Sequence, residues 1–432
     1  MSREARSAPW RIGKAAQAVG LSPASVTVDA GASETITATF LGDGTLSAVS
    51  SDPSVATVSV SGNVITVSGV AAGNVTITAN VSEGTNYLSG SATASAEVLL
   101  GFHLDYYGQA PELDSFAYIQ GAANVGNYAV FAGGQDSSAL AIVDAYNTSL
   151  TKTAATSLTY ARSNMGSAST QDHAIFAGGS NRPSVDAYSG SLVKTVASPL
   201  SYSCYSLSGS MVGGQAIFAG GRDSSTTYPY HKNVTAYDNQ LVKTILTDLA
   251  KERSNLAGAY NQNYALFAGG EAKGATLSSV EAYNSSLVRS SATALSHVTV
   301  NFAGGNVGNY AVFAGGYSNG GTYYPYATAY DTNLTRITAT SLRVSRQYIC
   351  CASTPNFCVF FGGSTTGAVS SSAVDAYDAN LTRTSPTDLP YVTDRSAAAS
   401  AGNYVFCAGG HEAVSSSSFK TIKKVSVYVE TT

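Results

Sequence analysis

Tyrosines cluster in two segments of this chain, 222–233 and 317–326, beside arginine, histidine, serine and asparagine. A tyrosine side chain has both an apolar ring and a hydroxyl, so it suits sugars, which present apolar faces beside hydroxyl groups. The candidate ligand-binding residues are Arg222, Tyr228, Tyr230, His231, Tyr317, Tyr323, Tyr324, Tyr326 and His411. A second interpretation stays open, in which these tyrosines only pack the loops against each other.

Catalytic or metal chemistry finds little support in the residue pattern. The five histidines, His103, His173, His231, His297 and His411, are scattered, whereas the ligands of a metal site must converge. Acid–base pairs such as Asp223 with Glu271 or Glu412 cannot be matched by spacing. We therefore expect no enzymatic activity, no catalytic residue, no metal and no cofactor.

Composition and charge exclude further classes of function. The formal net charge is −4, so duplex nucleic acid is not an expected partner. No apolar run approaches the length of a membrane span. The five cysteines, Cys204, Cys350, Cys351, Cys358 and Cys407, lack metal spacing, and we interpret them as small core residues.

A repeat of 42–49 residues organises the second part of the chain. Gly-Gly follows an apolar run seven times, a leucine lies 20 residues before each first glycine, and a tyrosine lies 12 residues before six of those leucines. The leucines are Leu113, Leu158, Leu200, Leu249, Leu295, Leu342 and Leu389. Repeats of this length predict four-stranded sheets around an axis, seven in number.

Each strand can be placed within a repeat. Strand 1 follows the leucine, strand 2 ends at Gly-Gly, strand 3 ends at the tyrosine, and strand 4 runs from a polar turn to the next leucine. The residues eight and ten places after each leucine are all small, as expected for innermost strands that converge on an axis. Nearly all length variation falls between strands 2 and 3, so one face varies and is the expected binding face.

The two ends of the repeat region are expected to share one sheet. The last repeat has no fourth strand of its own, and residues 102–113 form a lone strand 4 that ends in the expected leucine. Pairing of this segment with the seventh sheet would leave no edge strand open.

Val143-Asp-Ala-Tyr-Asn147 and Val374-Asp-Ala-Tyr-Asp378, each downstream of Gly-Gly, resemble kelch repeats. The resemblance implies a seven-bladed kelch-like β-propeller over residues 101–432, although the usual strand-4 tryptophan is absent. Arginines recur near the start of strand 1, at Arg162, Arg253 and Arg346, with Arg395 two places later. Kelch repeats often use such an arginine to bond neighbouring blades, and we favour that role over contact with an acidic ligand.

Residues 19–100 resemble a bacterial immunoglobulin-like domain of group 2. The resemblance rests on Val26-x-Val28-x-x-Gly31, on Ser50 to Val58, and on Val70 to Ala79. Alternating Val/Thr stretches between Gly and Asp turns independently predict a small β-sandwich. Such domains usually serve as spacers on bacterial surfaces and phage particles.

These features favour a non-enzymatic phage virion protein (tail, fibre or capsid decoration) whose propeller binds a host-surface glycan or protein. Residues 1–18 form an arm that, with the immunoglobulin-like domain, would contact other virion proteins. Met1–Gly20 lacks the apolar region of a signal peptide, which favours a virion over secretion. A secreted bacterial surface adhesin is the alternative, and a propeller enzyme acting on carbohydrate is the third.

Overall fold

The structure, a computed structural model, describes residues 13–99, 103–227, 229–415 and 418–431. Trp10, Phe102 and Tyr228 lie outside the described residues, as does most of the arm. The predicted all-β class is confirmed, because the described residues form strands and turns with no helix. It follows that none of them forms an apolar helix of membrane-spanning length. The chain forms two compact units, one up to His103 and one over Leu104–Thr431.

The first unit is a sandwich of two four-stranded sheets. One sheet has the spatial order Val19–Ser22, Ser33–Phe40, Val64–Gly69 and Ala56–Ser61. The other has the order Ser25–Asp29, Gly90–Leu99, Gly73–Val81 and Leu46–Ser50, with its first pair parallel. Strand residues alternate between exposed and buried, and the buried ones from both sheets, such as Ile36 and Ile77, form one core.

The second unit contains seven four-stranded antiparallel sheets, numbered 1 to 7 here by the chain order of their first strands. The first strands are Gly121–Val125, Gly166–Ser169, Ser208–Val212, Ala257–Tyr260, Ala303–Val307, Cys350–Ser353 and Ala397–Ala401. The second strands are Tyr128–Ala132, His173–Ala177, Gln215–Ala219, Tyr264–Ala268, Tyr310–Ala314, Cys358–Phe361 and Tyr404–Ala408. The third strands are Val143–Asn147, Val185–Ser189, Val234–Tyr237, Val280–Asn284, Ala327–Tyr330, Val374–Tyr377 and Val425–Thr431.

The fourth strands are short in sheets 1 to 6: Lys152–Ala154, Lys194–Ala197, Lys243–Ile245, Arg289–Ala292, Arg336–Ala339 and Arg383–Thr384. They end before the repeat leucine, so the prediction that strand 4 reaches this residue is wrong. The reason is that the leucine N–H bonds elsewhere. The N–H of Leu158 donates to the Ala141 carbonyl, 2.8 Å away, in the segment just before strand 3, and the other six leucines do the same in their own sheets.

The fourth strand of sheet 7 is His103–Ala110, which lies next to Val425–Thr431. The Thr431 hydroxyl also donates to Asp105, 3.1 Å away. The first part of the second unit therefore completes the sheet made by its last three strands.

First strands of successive sheets lie side by side, and that of sheet 7 lies beside that of sheet 1. They approach too closely for larger side chains. A Cβ atom on Gly209 would lie 2.1 Å from the Ser167 carbonyl oxygen, and one on Gly258 would lie 2.1 Å from that of Gly209. Serine hydroxyls also join these strands, as where Ser210 donates to the Ala259 carbonyl at 2.6 Å. This crowding explains the small residues at these positions.

The repeat tyrosines join each sheet to the one before it. The hydroxyl of Tyr188 in sheet 2 donates to the Thr156 carbonyl that follows strand 4 of sheet 1, 2.7 Å away. Tyr146 in sheet 1 makes the same bond, at 2.8 Å, to Pro111 after strand 4 of sheet 7. The remaining bonds of the cycle are Tyr237 to Ser198, Tyr283 to Thr247, Tyr330 to Thr293, Tyr377 to Thr340 and Tyr428 to Thr387.

The Gly-Gly pairs join each sheet to the next. The N–H of Gly134 donates to the Arg162 carbonyl at 3.0 Å, and the N–H of Gly410 donates to the Ala117 carbonyl at 2.7 Å, which runs from sheet 7 to sheet 1. Both glycines of a pair have positive φ, for example 63° at Gly409 and 108° at Gly410. A Cβ on Gly409 would meet the Ala117 oxygen at 2.3 Å, so only glycine fits.

Candidate ligand-binding site

The segments between strands 2 and 3, called the rim loops here, are tied to one another. Asn181 in the rim loop of sheet 2 donates to the Ser224 hydroxyl of sheet 3 at 2.9 Å. Asn319 of sheet 5 donates to the Gly274 carbonyl of sheet 4 at 3.1 Å. Three rim loops also contain small hairpins that the repeat pattern did not predict: Glu271–Ala272 with Ala275–Thr276, Ser364–Thr365 with Val369–Ser370, and His411–Ser415 with Ser418–Thr421.

In sheet 5 the four candidate tyrosines fall into two pairs. Tyr317 and Tyr323 meet edge to face with ring centres 5.1 Å apart, and Tyr324 and Tyr326 stack at 5.7 Å. Tyr326 is 47% exposed. His297 packs against the second pair, 4.5 Å from Tyr324 and 4.9 Å from Tyr326. Burial lowers the pKa of His297 to about 4, so the imidazole is neutral near pH 7.

In sheet 3, Arg222 forms a backbone bridge with Tyr230, and its guanidinium carbon lies 5.0 Å from the ring centre of Tyr205. Its Nη1 atom is 3.7 Å from Glu271 Oε1 in sheet 4. His231 packs on Tyr202, with ring centres 4.7 Å apart, and its Nε2 atom is 3.4 Å from Asp223 Oδ2. Burial lowers the pKa of His231, although the Asp223 carboxylate opposes this shift.

His411 of sheet 7 is buried and contacts two aromatic rings. Its ring centre is 3.8 Å from that of Tyr118 and 4.9 Å from that of Phe419. Burial lowers its pKa, against the charge of Asp394. The candidate residues thus belong to three separate rim loops, in sheets 3, 5 and 7, and not to one cluster.

A second set of residues, which the sequence did not single out as a set, lies just before the first strands of the seven sheets. Each member stands six places after a repeat leucine and has positive φ, between 48° and 57°. This mouth ring consists of Ile119, Asn164, Ser206, Asn255, Asn301, Tyr348 and Arg395. All seven line a cavity of about 270 Å³. The constant offset was readable from the sequence, but the residue types differ too much to draw attention to it.

Hydrogen bonds run around the mouth ring from one member to the next. The N–H of Asn164 donates to the Ile119 carbonyl at 3.1 Å, and the N–H of Ile119 donates to the Arg395 carbonyl at 2.9 Å. Four further bonds of this kind join Ser206 to Asn164, Asn255 to Ser206, Tyr348 to Asn301 and Arg395 to Tyr348, so six of the seven neighbouring pairs are bonded. The ring therefore holds its side chains at defined positions around the cavity.

Polar contacts connect the mouth ring to the rim loops. Asn255 donates to Glu271 at 3.1 Å. Asn301 donates to the Gln347 side chain at 3.2 Å, and Gln347 lies 3.5 Å from the Tyr323 hydroxyl. In sheet 7, Arg395 donates to the neighbouring Asp394 at 2.7 Å, and its guanidinium carbon lies 3.9 Å from the ring centre of Tyr348 in sheet 6.

Arg162, Arg253 and Arg346 have structural surroundings, but not the predicted ones. All three are fully buried, and each bonds carbonyls and one acidic side chain of its own sheet. The expectation that they bond neighbouring blades is therefore wrong for their side chains. The side chain extends across its own sheet to the base of that sheet's rim loop, whereas the backbone bonds the preceding sheet. The Arg162 carbonyl accepts from Gly134, and the Arg162 N–H donates to the Leu140 carbonyl, 2.9 Å away.

Within the described ranges, no three His, Cys, Asp or Glu side chains are grouped as metal ligands would be. Asp223 faces His231, and Glu271 faces Arg222 and Asn255. The charged side chains in this region are thus paired locally.

Two comparisons with known proteins found a similarity. A family model described as "Bacterial Ig-like domain (group 2)" matches residues 15–91. A solved structure entitled "Structure of YjhT", a kelch-type propeller, is similar in fold, with a TM-score of 0.52 and 15% identity over 64% of this chain and 99% of that one. No curated protein matches the sequence. The first unit thus contains a bacterial immunoglobulin-like domain, and the likeness to the solved structure shows the fold alone.

Proposed function

We propose that the seven sheets form a closed seven-bladed kelch-like propeller, and that the rim-loop face of this propeller binds a host-surface glycan or protein. In this proposal the chain is a non-enzymatic phage virion protein. The immunoglobulin-like domain serves as a spacer, and other virion proteins bind this domain or the N-terminal arm.

Ring closure is supported by interactions that run from sheet 7 to sheet 1. The tyrosine hydroxyl bonds and the Gly-Gly bonds each include one link between those two sheets, at Tyr146 and at Gly410. First-strand contacts follow the same order. A stack of sheets with two free ends would lack these links.

One observation carries the proposed binding function: the rim loops are bonded to one another. Asn181, Arg222 and Asn319 join the rim loops of sheets 2 to 5 into a continuous surface with an exposed tyrosine, Tyr326. Loops that are already ordered lose little conformational entropy on binding, so less of the free energy gained from contacts with the ligand is spent on ordering them. The structural scaffold beneath them is constant, which leaves sequence variation free to set specificity.

The experiment is a binding assay on an array of bacterial surface polysaccharides, comparing the full chain with a variant whose sheet-3 and sheet-5 rim loops are shortened to the length of the sheet-2 loop. We expect the full chain to bind particular polysaccharides or whole bacteria and the shortened variant to lose this binding with its melting temperature nearly unchanged. Equal binding by both variants would remove the rim loops from the function.

The match to a bacterial immunoglobulin-like domain also favours a second candidate, a secreted bacterial adhesin with the same binding face. Electron microscopy with an antibody against the chain separates the two. Labelling of phage particles supports the virion protein, and labelling of the bacterial surface supports the adhesin. A propeller enzyme is tested with the same polysaccharides, because an enzyme would shorten them during incubation.

A further inference from the structure

We propose that the mouth ring is a pocket for one neutral sugar unit, the terminal residue of the glycan that the rim-loop face binds. This inference rests on the proposed glycan-binding function and adds the position, the size and the charge of the bound group. The pocket is the cavity of about 270 Å³ that all seven mouth-ring residues line. This volume lies below the usual range for drug-sized ligands, so it suits one sugar ring and excludes several.

All mouth-ring residues have positive φ, which some residue types adopt easily and others do not. Asparagine tolerates positive φ well, so Asn164, Asn255 and Asn301 suit their backbone. Isoleucine, tyrosine and arginine do not, and β-branched isoleucine is the least suited of all. Ile119, Tyr348 and Arg395 nevertheless adopt φ of 48°, 53° and 51°. Strained residues of this kind are enriched at functional sites.

The three unfavourable residues are neighbours. They come from sheets 6, 7 and 1, which are consecutive around the ring, whereas sheets 2 to 5 contribute Asn164, Ser206, Asn255 and Asn301. One wall of the pocket is therefore formed by Ile119 and the stacked pair of Arg395 on Tyr348, and the opposite wall carries amides and a hydroxyl. A sugar ring needs this division, with its apolar face on one wall and its hydroxyl groups on the other.

Charges around the pocket are already balanced. Arg395 is paired with the buried Asp394, with Nη1 2.7 Å from Oδ1. Glu271 accepts from Asn255 and lies 3.7 Å from Arg222. A carboxylated sugar would have to compete with Asp394 for the guanidinium, so a neutral sugar is the expected ligand.

The test uses the full chain and ligand-observed saturation-transfer NMR with methyl glycosides of neutral hexoses, N-acetylhexosamines and a uronic acid. The decisive variant is Tyr348→Asn, because asparagine suits the backbone of this position better than tyrosine. We expect at least one neutral glycoside to bind, and Tyr348→Asn to weaken its binding about tenfold or more, the loss expected of an anchor residue. Its melting temperature should stay the same or rise. Ile119→Asn provides the same test at a second position.

Matched variants distinguish the outcomes. Asn164→Ser, on the polar wall, should weaken binding less than Tyr348→Asn. Tyr326→Ala changes a rim-loop residue outside the pocket and so tests the contribution of the rim loops to binding. Unchanged binding by both Tyr348→Asn and Ile119→Asn overturns the pocket, and if Tyr326→Ala then weakens binding, the proposed rim-loop function survives. Preference for the uronic acid overturns the neutral ligand. Binding of no glycoside by the wild-type chain overturns the pocket, while the polysaccharide array still decides the proposed function.

Discussion

Arg162 and Asp186 form a buried ion pair inside sheet 2, with Nη2 2.6 Å from Oδ2 and both side chains fully excluded from solvent. The equivalent residues are Arg253 with Glu281 in sheet 4 and Arg346 with Asp375 in sheet 6. At the two equivalent positions, sheets 3, 5 and 7 have uncharged residues: Cys204 and Thr235, Thr299 and Thr328, and Thr393 and Ser426. Arginine thus occurs at this position only in sheets that also supply a buried acid.

Replacing Arg162 alone should be more damaging than replacing the pair. Arg162→Thr leaves the Asp186 carboxylate buried without its partner and should lower the free energy of unfolding by about 3–5 kcal/mol. The double variant R162T/D186T copies sheet 5 and should recover part of this loss. Chemical denaturation of the variants measures both values, and a double variant less stable than R162T would contradict the ion-pair account.

Sheet 1 differs, because it has the buried acid, Asp144, but Ala117 stands at the position where sheets 2, 4 and 6 have the arginine. Burial raises the pKa of Asp144 to about 6, with Lys152, 3.9 Å away, opposing the shift. Between about pH 4 and 6 the unfolded carboxyl is ionised while the folded one keeps its proton, so stability falls as pH rises through this window and then stays low.

Asp144→Asn should remove this loss. The expected gain in unfolding free energy is about 1–2 kcal/mol at pH 7, and it should vanish near pH 4. Denaturation of both proteins from pH 4 to 8 measures the difference. Asp186→Asn is the control and should destabilise at pH 7, since it leaves Arg162 without its charge partner. A variant D144N that is less stable than wild type at pH 7 would show that the ionised Asp144 is well compensated.

Cys351 and Cys358 should form a disulfide under oxidising conditions. Their Sγ atoms are 3.4 Å apart. Cys351 is half-buried and lines a second cavity, of about 370 Å³, between the first strands, so a small oxidant can reach it. With hydrogen peroxide, the two protein thiols lose two hydrogens and two water molecules form. Burial raises the pKa of Cys351, so the reaction should be slow near pH 7 and faster at higher pH.

Peptide mapping without reduction identifies the linked residues, and Cys351→Ser serves as the control that cannot form this disulfide. Cys350 and Cys407, with Sγ atoms 3.8 Å apart, are both buried and should react later. Earlier linkage of Cys350 to Cys407 would contradict the predicted access through the cavity.

Tyr146→Phe tests the join between sheets 7 and 1. It removes one hydroxyl bond, to Pro111, and should lower the unfolding free energy by about 1 kcal/mol. Tyr188→Phe removes the corresponding bond, to Thr156, between sheets 1 and 2 and is the matched control. In a closed ring the two losses are alike. A loss confined to Tyr188→Phe would mean that sheets 7 and 1 separate in solution.

The parts of this fold that sequence could predict are those where every repeat makes the same bond. The leucine N–H, the tyrosine hydroxyl and the second glycine N–H each have one repeated partner, so their spacing cannot vary, and each first strand begins eight residues after its leucine. The rim-loop hairpins could not be predicted, because their lengths and residues differ between sheets. The mouth ring has no sequence signature, because its common feature is a backbone conformation that residues as different as Asn164, Ile119 and Arg395 share.

The most direct test of the account is an experimental structure of the full chain with the best neutral oligosaccharide from the binding screens. We expect seven sheets around one axis, with His103–Ala110 paired to Val425–Thr431. The terminal sugar should lie between Tyr348 and the asparagines of the mouth ring. An open arrangement of sheets, a different number of them, or a sugar bound away from the rim-loop face would contradict the account.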